Sequence, residues 1–145
     1  MEREYTIFTD GGARGNPGPA AIGVVIQGKD TGKKEFGEYL GETTNNEAEY
    51  QAVIFAMKKL KQIIGADKSK ESNVKFYIDS ELLCRQVSGE YKVKEKNLQG
   101  LFMEVWNLMT EFKKVSFEHV RREKNSEADA LVNQILDREN SKLDL

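Results

Sequence analysis

The sequence is poor in cysteine and contains no long apolar run. Its 145 residues include one cysteine, Cys84, and one histidine, His119. A single cysteine excludes an internal disulfide and is typical of a reducing compartment, so we expect a cytoplasmic protein. No stretch approaches the length of a membrane-spanning helix. We therefore expect no membrane partner.

A surplus of positive charge is also missing. Lys and Arg together number 22 against 24 Asp and Glu, which gives a formal net charge of −2. That balance argues against a nucleic-acid partner, because such proteins usually carry a basic surplus. The basic residues are nevertheless clustered, and bound cations would neutralise part of the acidic total. The clusters are Lys58, Lys59 and Lys61; Lys92, Lys94 and Lys96; and Arg121, Arg122 and Lys124. Each is more often a solvated face than a binding site, so charge alone leaves the partner open.

Near its start the sequence has an apolar run that leads into a glycine-rich stretch. Residues 5–10 are β-branched and aromatic with a period of two, which predicts a strand that Asp10 closes. The glycines within residues 11–18 predict a tight reversal into a second strand at residues 20–26. A carboxylate beside the amides of a glycine-rich turn suits a metal ion and a phosphate together. A hairpin with a capping aspartate shows the same pattern.

The rest of the chain predicts alternating strands and helices within one domain, residues 1–145. The core is expected over about residues 3–136, and a polar tail that frays over residues 137–145. Three further strands are predicted at residues 33–40, 74–78 and 115–120. The predicted helices are a long one that begins with a capping box at 44–47 and ends at 65, one at 81–87 capped by Ser80, one at 98–112 and a last one capped by Ser126. A turn at 28–32, a polar loop at 66–72 and a basic loop at 90–96 connect these elements.

Acidic residues follow both predicted parallel strands. A right-handed crossover from the first to the fourth strand makes these strands parallel neighbours, so Asp10 and Asp79 are expected at the same edge of an α/β sheet. Glu49, in the first turns of the long helix, and Asp129, in the first turn of the last helix, are candidates to join them. Four gathered carboxylates suit a site for two hard divalent ions such as Mg²⁺. Taken one at a time, each acid is equally explained as a cap or an exposed side chain.

Four strings in the sequence resemble the signature blocks of type 1 ribonuclease H and occur in that family's order. They are TDGGARGNPG at residues 9–18, TTNNEAE at 43–49, IDSELL at 78–83 and VRREKNSEADAL at 120–131. The resemblance extends from residue 5 to about residue 136. It implies an α/β, ribonuclease H-like fold: a five-stranded mixed sheet in the order 3-2-1-4-5, with strand 2 antiparallel to the others, flanked by helices.

The resemblance also implies a function, namely metal-dependent endonucleolytic hydrolysis of the RNA strand of an RNA/DNA hybrid. It implies a two-metal-ion mechanism with Mg²⁺, for which Mn²⁺ would substitute, and products with 5′-phosphate and 3′-hydroxyl ends. We expect the protein to act as a monomer. The implied catalytic and metal-binding residues are Asp10, Glu49, Asp79 and Asp129. The implied substrate-binding residues are Gly11, Asn16, Asn45 and Asn46.

The sequence departs from the family pattern around the predicted site. Many relatives carry a histidine in a longer loop before the last aspartate, whereas His119 lies in the predicted fifth strand. The short loop resembles that of the subgroup first known from archaea, and Arg122 and Glu123 are the nearest candidates for an auxiliary role. The basic protrusion of long relatives is missing. Lys92 and Lys94 are candidates to contact the DNA backbone in its place.

The substrate range is a further open point. Glu81 stands where relatives usually have an amide side chain, and its carboxylate would repel phosphate unless it turns away. One alternative is a broader nuclease that also cuts double-stranded RNA, which displays 2′-hydroxyls on both strands. Another is a ribonuclease H-like domain that binds nucleic acid without cutting it. Retention of all four acids argues against the second alternative, because clustered negative charge would repel phosphate.

Overall fold

The centre of the structure is a mixed β-sheet. The computed structural model describes residues 3–143, and its strands are β1 Arg3–Ala13, β2 Gly18–Gly28, β3 Gly32–Thr43, β4 Ser72–Ile78 and β5 Lys114–His119. Their order is β3-β2-β1-β4-β5. β2 pairs antiparallel with β1 and β3, while β4 pairs parallel with β1 and β5. The predicted strand order and directions are confirmed.

Helices cover both faces of this sheet. They are α1 Asn45–Ile64, α2 Ala66–Lys70, α3 Glu81–Val87, α4 Lys96–Met109 and α5 Ser126–Leu143, with a short 3-10 turn at Arg122–Lys124. α1, α3 and α4 enclose the main core with β1 and β4, and α5 packs on β2 over a smaller apolar cluster. Within the described part of the chain, no helix has both the length and the apolar character needed to cross a membrane.

The long helix α1 begins where the sequence predicts it. The Thr44 side chain accepts a hydrogen bond from the Glu47 amide, and the Glu47 carboxylate accepts one from the Thr44 amide, which forms the predicted capping box. The helix ends at Gly65, whose φ of 90° suits glycine. A fixed helix start matters here because Glu49 lies just beyond it.

Several predicted boundaries are wrong. β1 does not end at Asp10 but continues to Ala13, since Gly11 and Gly12 still pair with β2. The chain reverses afterwards, at residues 14–17. The expected polar loop at residues 66–72 contains the short helix α2.

The last helix also differs from expectation at both ends. Ser126 is already part of α5, and the carbonyl of Asn125 accepts the first helical hydrogen bond from the Asp129 amide, so Asn125 holds the cap position. At the other end α5 continues through Asp137 to Leu143, where a fraying tail was expected.

Candidate active site

Three carboxylates meet at one edge of the sheet. One oxygen from each of Asp10, Glu49 and Asp79 lies within 4.8 Å of the others. Thr9 on β1 is in parallel register with Ile78 on β4, so the residues that follow them, Asp10 and Asp79, lie side by side. Glu49 reaches them from the N-terminal part of α1. The structure therefore brings these three predicted site residues together, and we call them the acidic trio.

The fourth predicted acid, Asp129, lies beside the acidic trio in the same cleft. This cleft has a volume of about 530 Å³, and all four acids line it. Asp129 is half-buried in the first turn of α5, and its carboxyl group hydrogen-bonds to that of Asp10. The Asn133 side-chain amide lies 3.4 Å from the Asp129 carboxylate. All four acids thus share one cleft, with Asp129 outside the tightest group.

Gly11 allows α1 to approach β1 closely enough for Glu49 to reach Asp10. A Cβ atom at Gly11 would lie 2.3 Å from the backbone carbonyl of Ala48 and 2.5 Å from the Glu49 nitrogen, a separation that packed atoms do not adopt. The Gly11 amide also donates a hydrogen bond to the Glu49 carboxylate, which acts to lower the pKa of Glu49. Gly11 was predicted only as a substrate-binding residue, and the structure shows that it also has a packing role.

Gly23 has the corresponding role on the other face of the sheet. It pairs directly with Asp10 across β1 and β2. A Cβ at Gly23 would lie 2.2 Å from the carbonyl oxygen of Ala128, the residue that precedes Asp129. The missing side chain lets the first turn of α5 rest on β2, and this contact places Asp129 at the cleft. Sequence reasoning missed Gly23, although a lone glycine inside a strand pattern signals a close backbone approach.

The electrostatics of the acidic trio are unfavourable when all three groups are ionised. Burial, then the charges of Asp79 and Asp129, raise the pKa of Asp10 from its usual 3.8 to about 8. Burial and the charges of Asp10 and Asp79 hold the pKa of Glu49 well above its usual value. Burial also raises the pKa of Asp79, while a hydrogen bond from Asn125 and the charge of Arg122 act to lower it.

The acidic trio fits a divalent metal ion. One oxygen of Glu49 and one of Asp79 are buried and have no hydrogen-bond partner within residues 3–143. Buried unpaired carboxylate oxygens are costly, and hard cations such as Mg²⁺ take carboxylate oxygens as ligands. The oxygens of the acidic trio are close enough to contact one ion, and Asp129 lines the same cleft. The donor set therefore suits hard divalent cations.

Asn125 is a site residue that sequence reasoning missed. Its side chain is 1% exposed, and its Nδ2 donates to the carbonyl oxygen of Thr9 at 2.8 Å. The same side chain hydrogen-bonds to Asp79, and the backbone carbonyl caps the helix that carries Asp129. Asn125 thus links the strand that carries Asp10 to the other two aspartates. An asparagine directly before a helix is a recognisable cap signal, but its burial is visible only in the fold.

The predicted substrate-binding asparagines lie at the N-terminus of α1 and in the glycine-rich turn. The Asn45 side-chain oxygen accepts a hydrogen bond from the Ala13 amide at 2.8 Å, and the Asn16 side-chain oxygen accepts one from the Asn45 amide at 3.0 Å. These two bonds fix the turn against the helix. Asn45 and Asn46 line the cleft together with Gly11, whereas Asn16 lies outside the lining.

The predicted auxiliary residues are not all at the cleft. Arg122 lines the cleft, and its charge acts to lower the pKa of Asp79. Glu123 is exposed and lies outside the lining. Lys92 and Lys94 are exposed on the segment between α3 and α4 and do not line the cleft either. The structure therefore associates Arg122 alone among these four with the acids.

Two further residues near the cleft bear on the sequence departures. Glu81 accepts a hydrogen bond from the Nε of Arg85 at 3.0 Å and does not line the cleft, so its carboxylate is turned away from the acids. His119, the last residue of β5, lies with its Nε2 3.3 Å from the backbone carbonyl oxygen of Asp79. The histidine is thus a neighbour of the site, a position that its place in a strand did not indicate.

A larger cleft lies at the start of β1. Its volume is about 710 Å³, and Arg3, Tyr5 and Asp30 are among its lining residues. Arg3 pairs with Asp30 at 3.0 Å, and the Tyr5 hydroxyl donates to the same carboxylate at 2.8 Å. Asp30 is therefore paired, and among residues 3–143 the acids close enough to share a metal ion are not in this cleft. The candidate metal ligands therefore lie in the smaller cleft.

The sheet order and the two helices that converge on its edge define a ribonuclease H-like fold, and the acidic trio at that edge is a candidate metal centre. A protein-family model described as reverse transcriptase-like matches residues 8–135. Ribonuclease HI of Halobacterium salinarum is 37% identical over 131 residues, which cover 90% of this chain and 63% of that protein. A bifunctional protein of Mycobacterium tuberculosis is 36% identical over 136 residues, 92% of this chain but 36% of that protein. The chain thus spans less than two thirds of these curated relatives.

Solved structures agree with these similarities. LC11 ribonuclease H1, solved in complex with an RNA/DNA hybrid, is 46% identical with a TM-score of 0.85, and the match covers 92% of this chain and 97% of that one. Ribonuclease H1 of the archaeon Halobacterium salinarum is 34% identical with a TM-score of 0.84, over 93% and 98% of the two chains. The chain belongs to the type 1 ribonuclease H family.

Proposed function

We propose that this protein is a divalent-metal-dependent endonuclease that hydrolyses the RNA strand of RNA/DNA hybrids and leaves 5′-phosphate and 3′-hydroxyl ends. The observation that carries the proposal is the acidic trio, with its buried unpaired oxygens, at the sheet edge of a fold shared with LC11 ribonuclease H1. That neighbour is solved with a hybrid bound. A cluster of unpaired acids has no use in a domain that only binds phosphate, because it would repel the ligand.

Asp10, Glu49, Asp79 and Asp129 are the proposed metal-binding and catalytic residues. The trio would hold one Mg²⁺ ion, and Asp10 with Asp129 would share a second, with Mn²⁺ able to replace either. When bound, such ions lower the pKa of water and offset the charge that develops on the leaving oxygen. The chain's own contribution is geometric, since Gly11, Gly23 and Asn125 keep the four acids in place before any ion arrives.

Of the proposed substrate contacts, Gly11, Asn45 and Asn46 line the cleft with the acids, and Asn16 is hydrogen-bonded to Asn45. The side-chain oxygens of Asn16 and Asn45 are occupied by backbone amides, so their NH₂ groups are directed to act as donors. Together with Asn46 and the backbone at Gly11, these donors suit 2′-hydroxyls and phosphates in a shallow minor groove. Such contacts distinguish RNA from DNA without reading bases, so cleavage should be largely independent of sequence. Arg122 would assist by placing positive charge beside Asp79.

The test incubates the purified protein with labelled RNA/DNA hybrid, RNA duplex and DNA duplex, each with Mg²⁺, with Mn²⁺ and with EDTA. We expect cutting of the RNA strand of the hybrid with either ion and none with EDTA. Cutting of the RNA duplex at a comparable rate would establish the broader nuclease instead. Asp10→Asn should abolish turnover, and the matched control Asp67→Asn, an exposed aspartate on α2, should not. Cleavage that survives EDTA, or an active Asp10→Asn variant, would refute the proposal.

A further inference from the structure

The segment between α3 and α4 is held firmly although it forms neither helix nor strand. This segment, residues 88–95, carries Lys92 and Lys94. The Nε2 of Gln86 donates to the carbonyl oxygen of Lys92 at 3.2 Å, and the Nε2 of Gln99 donates to the carbonyl oxygen of Val93 at 3.0 Å. The Val93 side chain packs against the main core. Two consecutive residues are thus fixed by three separate contacts.

Gln86 is the buried part of this arrangement. It is 5% exposed, and its Oε1 accepts a hydrogen bond of 2.6 Å from the hydroxyl of Tyr50, which is itself 1% exposed. Tyr50 follows Glu49 on α1. A buried polar path therefore runs from the helix that carries a catalytic acid to the backbone of Lys92. A buried amide with both ends satisfied holds its partners in one geometry, because a broken bond would leave a polar group without water.

The two lysines that flank Val93 are available to a ligand. Both are exposed, and within residues 3–143 neither forms an ion pair. The acid that precedes them in the segment, Glu90, lies 3.6 Å from the guanidinium of Arg85 and is thereby engaged. Unpaired lysines on a fixed backbone suit the regularly spaced phosphates of a nucleic-acid strand.

We propose that Gln86 is a positioning residue for nucleic-acid binding, which fixes residues 88–95 so that Lys92 and Lys94 are ready to contact backbone phosphates, with Gln99 as a second tie. The proposal rests on the proposed function, because that function supplies the phosphate partner. A segment ordered before binding does not lose conformational freedom when the partner arrives, and this increases affinity. Loss of the hydrogen bonds from Gln86 and Gln99 should weaken binding without changing how many phosphates are neutralised. The salt dependence of binding should therefore stay the same.

The experiment measures hybrid binding in EDTA, where cleavage does not interfere, together with amide hydrogen exchange of the free protein. Gln86→Leu should weaken binding roughly fivefold, and Gln99→Ala, an exposed change that leaves the core intact, roughly twofold to threefold. Both should speed exchange of the amides of residues 88–95 and leave kcat at saturating substrate within about twofold. The slope of affinity against salt should not change. Gln134→Ala, an exposed glutamine on α5, is the matched control and should alter none of these quantities.

A double-mutant cycle separates positioning from general stability. Lys92→Ala with Lys94→Ala should weaken binding and lower the salt slope, and adding Gln86→Leu or Gln99→Ala to that pair should have no further effect. Equal weakening in the presence and absence of the lysines would overturn the proposal, as would faster exchange with unchanged affinity. These readouts do not need cleavage. A wild-type protein that binds hybrid but does not cut it would therefore refute the proposed function and still allow the cycle to be measured.

Discussion

Replacement of Asp10 by asparagine should stabilise the metal-free protein at alkaline pH while it removes activity. Asp10 is 6% exposed, and its surroundings raise its pKa from 3.8 to about 8. Each tenfold change in proton affinity corresponds to about 1.4 kcal/mol, so ionising Asp10 costs about 6 kcal/mol more in the folded protein than in the unfolded chain. Asparagine avoids this cost but fits a site shaped for a carboxyl group imperfectly. We therefore expect a net gain of about 2–4 kcal/mol in the free energy of unfolding.

The sign of the pH dependence follows from the raised pKa. Below about pH 4 the Asp10 carboxyl is protonated in both the folded and the unfolded protein. Between about pH 4 and pH 8 the unfolded chain releases this proton and the folded protein keeps it, so folding is opposed increasingly as the pH rises. The stability that a protonated Asp10 provides is lost by about pH 8. Raised pKa values at Glu49 and Asp79 act in the same direction.

The assay is urea unfolding followed by circular dichroism in EDTA, at about pH 5 and about pH 9. Wild type should lose stability between the two values, and Asp10→Asn should lose much less. Addition of Mg²⁺ at the higher pH should restore wild type more than the variant, because bound ions offset the same repulsion. Asp67→Asn should follow wild type throughout. If the difference in unfolding free energy between Asp10→Asn and wild type is the same at about pH 9 as at about pH 5, ionisation of Asp10 does not destabilise the folded protein and the reasoning is refuted.

Three further substitutions test the contacts that place the acids. Gly23→Ala puts a methyl group 2.2 Å from the carbonyl oxygen of Ala128, so α5 must shift and steady-state kinetics should show kcat reduced about tenfold or more with KM little changed. Asn125→Ala leaves the carbonyl of Thr9 without its buried partner and should cost about 1–3 kcal/mol in urea unfolding, with weaker Mg²⁺ binding by calorimetry. Asp129→Asn should reduce the single-turnover rate less than Asp10→Asn does, because Asp129 lies beside the acidic trio rather than in it.

Two comparisons control for loss of fold in that series. Gly100→Ala adds a methyl group that meets no atom within 4 Å, so its kinetics should match wild type. Far-ultraviolet circular dichroism should be unchanged in Gly23→Ala and Asn125→Ala. A Gly23→Ala variant with normal kcat would show that α5 does not need its present contact with β2 to deliver Asp129.

Local patterns in the sequence predicted the strands and the meeting of Asp10 and Asp79, and the family resemblance supplied the full strand order. Period-two runs marked the strands, the capping box at Thr44 marked the start of α1, and the right-handed crossover rule placed Asp10 beside Asp79. These features are local or follow from chain order. Asp129 was predicted through the family resemblance and through its place at the start of a helix, and the structure puts it in the same cleft.

The residues that sequence reasoning missed depend on contacts between distant parts of the chain. Gly23 looks like an ordinary strand glycine until α5 is placed against β2, and Asn125 looks like an exposed polar residue until its side chain reaches Thr9. The end of β1 was also placed too early, since glycines at residues 11–12 indicated a turn whereas pairing with β2 keeps them extended. Local signals hint at a close approach at Gly23 and at a helix cap at Asn125, but the partner that each residue meets is decided by tertiary pairing.

The way the acids are held explains how the centre can be rigid and still poised for ions. Backbone contacts at Gly11 and Gly23 and the buried amide of Asn125 fix the positions of the carboxylates, while the charge of Arg122 acts to lower the pKa of Asp79. Uncharged groups therefore set the geometry of the cleft, and the negative charge of the acids is left largely uncompensated. Since a ligand that binds only the folded state stabilises it in proportion to its own binding free energy, divalent ions should complete the centre and stabilise the fold through the same contacts. A neutral variant such as Asp10→Asn should then keep the geometry of the cleft, tolerate the absence of metal better than wild type, and gain less when metal is supplied.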